Sequence, residues 1–449
     1  MTRGSRPLRI CFVAYRGNMR CGGQGVYLWF LARELARLGH EVEVLVGPPY
    51  PDPMPFAYSV SELPNQRFWG GWFNRDRRAM LPANPLRIFE PLNFYELAAS
   101  RIGFLPEPFA FSVRALREIT ARLRLGIRYD VVHDVQCLGW GDLVLRALGL
   151  PLVATIHHPL TVDRRSSFLR DTSLREAIGT MTFYPAGMQA AVARRLDRLF
   201  TSSHESARAI ERDFGVRPQR IRMLANGVDT QLFCPDPAAV RDPSEILCVG
   251  RAADPNKGLV TLIDALPHLP PHVRLTLVDD DARDNPARRR ARELGIEGRL
   301  RIVGRVPTDE LVELYRRCAL VVVPSRYEGF GLPAAEAMAC GTPVVACAAG
   351  ALPEVVTTGG GGVLVPPDDP PALAAAVRRL LAEPGLRAEL GSIGRKGIDG
   401  AYAWPRVAQR TAEAYAELIA ERRGRPASTT TSATSGHTRA HRSRAASAA

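Results

Sequence analysis

Short runs of β-branched and apolar residues recur along the chain, each followed by a stretch of helical periodicity, and this alternation limits the fold more than any other feature. In the first half the runs are "LRICFVA" (8–14), "EVEVLVG" (41–47), "DVVHDV" (130–135), "PLVATIH" (151–157), "RLFTSS" (198–203) and "RIRML" (220–224). In the second half they are "EILCVG" (245–250), "VRLTLV" (273–278), "RLRIVG" (299–304), "ALVVVP" (319–324), "TPVVAC" (342–347) and "GVLVP" (362–366). Several are continuously apolar, as strands covered on both faces must be. Strand–helix alternation of this kind predicts an α/β fold of doubly wound parallel sheets. A chain of 449 residues is too long for one core. The Pro- and Asp-rich stretch "FCPDPAAVRDPS" (233–244) predicts a linker, dividing the chain into domains at 1–235 and 236–404.

The remaining segments break the pattern. Residues 48–110 are rich in proline and aromatics ("PPYPDPMPFAY", "FWGGWF", "FLPEPFAF") and predict a long irregular insertion with a functional role. Residues 405–424 are expected to form a helix that crosses back to the first domain, and the low-complexity basic tail 425–449 is expected to be disordered. Eight cysteines (11, 21, 137, 234, 248, 318, 340, 347) form no Cys-x-x-Cys pair and read as reduced residues of a cytoplasmic protein. The opening "MTRGSRPLRICFVAYRG" reads as a first strand, not a signal peptide, and no window approaches the roughly 18 apolar residues of a membrane span. The net charge of +13 then calls for solvated basic surface or attraction to an anionic membrane. No nucleic-acid-binding motif is present, so nucleic acid is not an expected partner.

In an open parallel sheet, ligands bind beyond the carboxyl ends of the strands. After the first strand stands "YRGNMRCGGQG", whose Gly22, Gly23 and Gly25 let backbone amides approach an anion before a helix begins. The dinucleotide fingerprint fails there, since Leu28 occupies the place of its third glycine. After "EILCVG" come Arg251 and Lys257, two cations that suit a diphosphate. After "ALVVVP" comes "SRYEGFGLPAAEAMACGTPVVA" (325–346), where Glu328 precedes a turn and Glu336 lies one turn inside the next helix. Pro333 fits the first turn of that helix, which aims the amides of Gly331 and Leu332 at an anion. Carboxylates on both sides of an anion site can accept hydrogen bonds from hydroxyls flanking that anion. A nucleotide sugar has this layout. "DDDARD" (279–284) reads as a solvated acidic loop, with a metal site as the rival reading.

The motifs "GGQGVYLWFLARELARLGHEV", "DVVHDV", "NGVDTQLF" (226–233), "VGRAADPNKG", "VPSRYEGFGLPAAEAMACGTPVVA" and "GALPEVV" (350–356) resemble those of the retaining glycosyltransferases of family 4. The resemblance runs to about residue 423. It implies the GT-B fold, two Rossmann-like domains facing across a cleft, with a nucleoside diphosphate sugar as donor. It implies that Glu336 holds the ribose, that Arg251 and Lys257 bind the diphosphate with amides at Gly22, Gly23 and Leu332, and that Glu328, Gly329, Phe330 and Gly331 meet the donor sugar. His157, in "TIHHP", matches a histidine beside that sugar. Two departures stand out: His158 where the family commonly has aspartate, and "DDDARD" where a glycine-containing turn near the base is usual.

The expected reaction is hexosyl transfer with retention, with no cofactor and no essential metal. Catalysis would rest on Glu328, His157, Arg251 and Lys257. Donor contacts fall in the second domain, so the acceptor is expected on the first, near Gln24, Arg164, Arg165 and the 48–110 insertion. With the basic balance this suggests a lipid-linked or anionic acceptor at the inner face of the cell membrane. The rival readings are another nucleotide-sugar enzyme of this fold, an epimerase or synthase, and a non-catalytic sugar-nucleotide binding protein.

Overall fold

Two all-parallel sheets organise the computed structural model, which describes residues 6–19, 23–65, 85–101, 104–168 and 185–424. The first sheet holds β1 (Arg9–Ala14), β2 (Glu41–Val46), β3 (Ser59–Glu62), β4 (Val131–Val135), β5 (Leu152–Thr155), β6 (Arg198–Thr201) and β7 (Ile221–Met223), in the order β3-β2-β1-β4-β5-β6-β7. The second holds β8 (Asp242–Val249), β9 (Arg274–Val278), β10 (Leu300–Val303), β11 (Cys318–Val323), β12 (Val344–Cys347) and β13 (Gly362–Val365), in the order β10-β9-β8-β11-β12-β13. The central strands are the apolar runs. β11 reads CALVVV and every residue of it is buried, because helices cover both of its faces.

In each sheet the strand order reverses beside the first strand. In the first, β1 pairs with both β2 and β4, Ile10 lying opposite Val42 and Val131. In the second, β8 pairs with both β9 and β11. These reversals leave a crevice beyond the carboxyl ends of the two flanking strands. The segments that enter those crevices are 15–19, 23–25 and 136–139 in the first lobe, and 250–258 and 324–331 in the second.

The structure differs from the sequence reading in the insertion. Ser59–Glu62 is an edge strand with alternating half-buried residues, and its SVSE sequence carries no apolar signal. Helices run over Pro91–Arg101 and Glu107–Arg124, and Pro106 and Pro108 stand at the start of the second. Proline is tolerated in a first helical turn, so the proline-rich text there marks helix entry, not loop. Strand β8 likewise begins at Asp242, within the stretch read as linker. Gly22, "FWGGWF" and the tail 425–449 lie outside the described residues.

The helix Trp404–Arg422 belongs to the second half of the chain but packs on the first lobe. Trp404, Val407, Tyr415 and Leu418 join Ile10, Phe12, Tyr27, Leu28 and Leu31 in one core. Trp404 stacks on Phe30 at 5.6 Å, Tyr415 hydrogen-bonds the buried His133 ring, and Arg198 pairs with Glu421 at 2.6 Å. The chain thus passes between the lobes twice. The two passages touch: Val228 N donates to Tyr402 O at 2.8 Å and Trp404 N to Val228 O at 3.3 Å. No helix among the described residues is long and apolar enough to cross a membrane. The cysteines among them are free, and all but Cys234 are buried.

Candidate active site

The short turn Pro255–Lys257 places the first cation. Asp254 caps it by accepting from Asn256 N at 3.0 Å. Gly258 then adopts a φ of +61°, and a Cβ there would stand 2.0 Å from the Pro324 carbonyl oxygen. Only glycine lets this turn lie against the end of β11. Asn256 O in turn accepts from Arg326 N at 2.7 Å. The result is a 2.7 Å ion pair between Lys257 Nζ and Glu328 Oε1, with Ser325 Oγ donating to the same oxygen at 2.9 Å. Oε2 of Glu328 takes no hydrogen bond among the described residues. Arg251 is exposed at the same mouth and has no ion-pair partner among the described residues. Its loop is pinned by the buried Asp279, which accepts from Ala252 N and from Asn285 Nδ2, both at 2.8 Å. The first residue of the acidic stretch is therefore a structural cap and not part of a solvated loop, while Asp280 and Asp281 are exposed.

Beyond Glu328 the chain turns through Gly331, whose φ of +97° no L side chain adopts readily, and enters the helix Leu332–Ala339. Phe330 is buried, edge-on to Tyr402 at 5.4 Å. Glu336 sits one turn in, partly buried, and accepts from the Tyr315 hydroxyl at 2.9 Å. Loss of hydration pushes its carboxyl up to about 7, and the Tyr315 hydrogen bond only partly opposes this. The raised value favours the protonated form, so its contribution to stability is present at acid pH and lost as pH rises through about 7. Binding of a ligand whose hydroxyls need the carboxylate should run the opposite way. Affinity for a nucleoside diphosphate is expected to weaken toward roughly tenfold per pH unit below that point. Titration calorimetry of the protein and its Glu336→Gln variant across the same pH range measures it, because subtracting the variant's profile removes the phosphate's own titration. Superimposable slopes would contradict the assignment.

The first lobe contributes from the facing side. His157 follows β5 and is buried, and neither ring nitrogen finds a hydrogen-bond partner in good geometry. Burial holds this imidazole near 3, the neighbouring His158 adds to the lowering, and Asn226 opposes it. The ring is therefore neutral near pH 7, with one N–H to donate and one nitrogen to accept. Its backbone is gripped by Gln136: Oε1 accepts from His157 N at 3.0 Å and Nε2 donates to His158 O at 3.2 Å. Gly23 opens the helix Gly23–Arg37 and is exposed, with open space where a Cβ would stand. Gln24 is half-buried and interacts with the Tyr15 phenol. Arg164 and Arg165 stand on the helix Leu160–Phe168, where Arg165 is paired with Asp213 at 2.6 Å.

The two groups of residues meet across the cleft. A Cβ on Gly329 would lie 3.2 Å from the His157 carbonyl oxygen and 3.7 Å from His158 Nδ1. Lys257, Glu328, Gly329, Phe330, Gly331 and His157 thus share one place, with Glu336 a turn behind, whereas Arg165 is already neutralised. Ser325, Tyr315, Gln136 and Asn226 were not singled out from the sequence. Asn226 opens the quoted "NGVDTQLF" and Ser325 the quoted "SRYEGFGLPAAEAMACGTPVVA", so both lie in motifs already read. Tyr315 and Gln136 act through contacts with residues remote in sequence that no local pattern announces.

Two facing parallel-sheet lobes, with cations and carboxylates at the switch point of the second, define the GT-B class of glycosyltransferases. Models of the two lobes match the chain: "Glycosyltransferase Family 4" over residues 21–232 and "Glycosyl transferases group 1" over 235–397. The MMP alpha-(1->4)-mannosyltransferase of Mycolicibacterium hassiacum is 38% identical over 92% of this chain and 99% of its own length. The D-inositol 3-phosphate glycosyltransferase of Xylanimonas cellulosilytica is 32% identical over 91% and 95%. Among solved structures, sucrose-phosphate synthase from Thermosynechococcus elongatus superposes with a TM-score of 0.66 at 24% identity, covering 92% of this chain and 100% of its own. Anabaena HepE, solved in complex with UDP-glucose, does so with 0.64 at 21%, covering 91% and 100%. The chain belongs to glycosyltransferase family 4 and is a glycosyltransferase with the GT-B fold.

Proposed function

We propose that this enzyme transfers a mannosyl or closely related hexosyl group from a nucleoside diphosphate sugar, with retention at the anomeric carbon. The observation that carries the reading is the Lys257–Glu328 pair, 2.7 Å apart, on the turn that meets the buried, neutral His157. Lys257 and the exposed Arg251 meet the charge that grows on the departing diphosphate. The amides at Gly331 and Leu332 open a helix toward the same anion. Glu336 accepts from the ribose, and His157 with the Glu328 turn takes the hexose hydroxyls. No carboxylate is assigned as a covalent nucleophile, so the leaving phosphate assists deprotonation of the acceptor on the same face. Charge on the diphosphate is met by protein cations, so no metal enters this scheme. Mannose is preferred as the donor sugar because the relative at 38% identity, matched over nearly its whole length, is a mannosyltransferase by name.

The acceptor is read on the first lobe, near Gln24, Arg164 and the insertion. Exposed Leu86, Phe89 and Phe94 of that insertion favour an acceptor embedded in, or lying against, a lipid surface at the inner face of the membrane. The test is an incubation with a panel of nucleoside diphosphate hexoses and with soluble or vesicle-embedded glycan acceptors, the product's anomeric configuration being assigned by NMR. The expected product keeps the donor's configuration and forms without added metal. An inverted product would overturn the mechanism, and donor turnover indifferent to every acceptor would favour the epimerase reading.

A further inference from the structure

The lobes are joined across the cleft by contacts that the chemistry above does not use. Ser202 and Ser206 stand at the carboxyl end of β6 and in the first turn of the helix His204–Phe214. Ser202 Oγ donates to Gly329 O at 2.9 Å, and Ser206 Oγ donates to His157 O at 2.9 Å with a longer 3.5 Å approach to Gly329 O. From the other lobe, Glu354 in the first turn of the helix Leu352–Gly359 reaches the start of the His204–Phe214 helix. Its Oε2 accepts from His204 N at 2.9 Å and its Oε1 from Glu205 N at 3.2 Å. These are amides that a helix leaves without intrahelical partners, and the partial positive charge there suits a carboxylate. The Ser203 side chain satisfies a third, from Ser206 N at 3.1 Å. The helix is therefore capped jointly by its own lobe and by the opposite one.

We infer that Glu354 and Ser202 form a clasp that closes the lobes and, in closing, sets the Glu328–Gly331 turn against the donor. The link to the turn is short. Ala351 N donates to Glu328 O at 2.9 Å, so the segment that carries Glu354 also holds the backbone of Glu328. Ser202 grips the next carbonyl, that of Gly329, from the opposite lobe. His204 is exposed and Glu205 and Glu354 are only half-buried, so water can take over every hydrogen bond of the clasp when it opens. An apolar interface of the same size would have no such exchange. Glu354 and Ser202 are positioning residues, acting on the donor through Gly329 and Glu328 without touching it.

The kinetic arm rests on the transferase reading, and the scattering arm does not. Small-angle scattering of the full chain without ligand is expected to show a larger radius of gyration for Glu354→Ala than for wild type, with Ser202→Ala shifted the same way by less. The KM for the donor is expected to rise roughly tenfold in Glu354→Ala, as for loss of a charge-assisted pair of hydrogen bonds, while kcat at saturating donor stays close to wild type. Glu354→Gln keeps one acceptor oxygen and should fall between. Unchanged scattering in both variants would overturn the clasp. So would a kcat that falls together with the melting temperature while KM stays fixed, since that marks a merely structural residue. If wild type turns over no donor, the transferase reading fails and scattering alone decides.

Discussion

Lys257→Ala is expected to lower turnover by about two to three orders of magnitude while leaving the melting temperature within a few degrees of wild type. Lys257 sits on a turn whose shape is set by Asp254 and Gly258, so truncating the side chain beyond Cβ leaves the backbone geometry intact. Its partner Glu328, whose side chain is only 11% exposed, keeps the Ser325 hydroxyl at 2.9 Å. The folded state loses the ion pair at a nearly buried carboxylate, a cost that the Ser325 hydrogen bond offsets in part. In the proposed role the transition state loses more, because the ammonium's interaction with the leaving group would strengthen as that charge develops. Single-turnover rates at saturating donor are the measurement. A Lys257→Ala rate within about threefold of wild type would remove the lysine from the leaving-group site.

Removing residues 404–424 is expected to prevent the first lobe from folding, although those residues lie at the far end of the second half of the chain. Trp404, Val407, Tyr415, Leu418 and Ile419 are buried against helix Gly23–Arg37 and the strands beneath it. At about 1.5–3 kcal/mol for each large apolar side chain, their burial is worth on the order of 10 kcal/mol. That is comparable with the whole net stability of a typical domain, about 5–15 kcal/mol. The deletion would also leave the fully buried His133 without its Tyr415 hydroxyl, Arg198 without Glu421 and Arg222 without Glu417. The expected outcome is loss of cooperative melting in circular dichroism and poor soluble yield. A truncated chain that melted cooperatively near the wild-type temperature would show that the first lobe is self-sufficient.

The parallel sheets were legible because a strand covered on both faces needs apolar residues at every position, and CALVVV can hardly be anything else. β3 was not, since an edge strand of Ser-Val-Ser-Glu satisfies its ladder through backbone groups alone. The site was legible where topology dictates it. Lys257 and Glu328 follow neighbouring strands at a reversal of strand order, so their meeting follows from the winding of the sheet. Tyr315 beneath Glu336 and Glu354 over His204 are pairings of residues remote in sequence, and their identities are ordinary for the helices they occupy. Gln136 adopts a φ of +60° that its residue type does not announce, because the loop is set by Asp134 accepting from the amides of Cys137 and Leu138. Asp279 shows the converse limit: three consecutive aspartates look solvated, and only burial reveals that the first is a cap.

The touching passages at Val228 and Ala403 decide what kind of movement the two halves of the enzyme can make. Two tethers at opposite ends of an interface would resist twisting and spread their constraint along it; two tethers bonded side by side join the halves at one place. Arg33 and Asp229 are paired beside that place at 3.0 Å, so these contacts gather on one side of the interface. Opening about that place would then cost only what lies out along the far edge, where Ser202 and Glu354 make their contacts, and would leave undisturbed the core that holds Val228 and Tyr402.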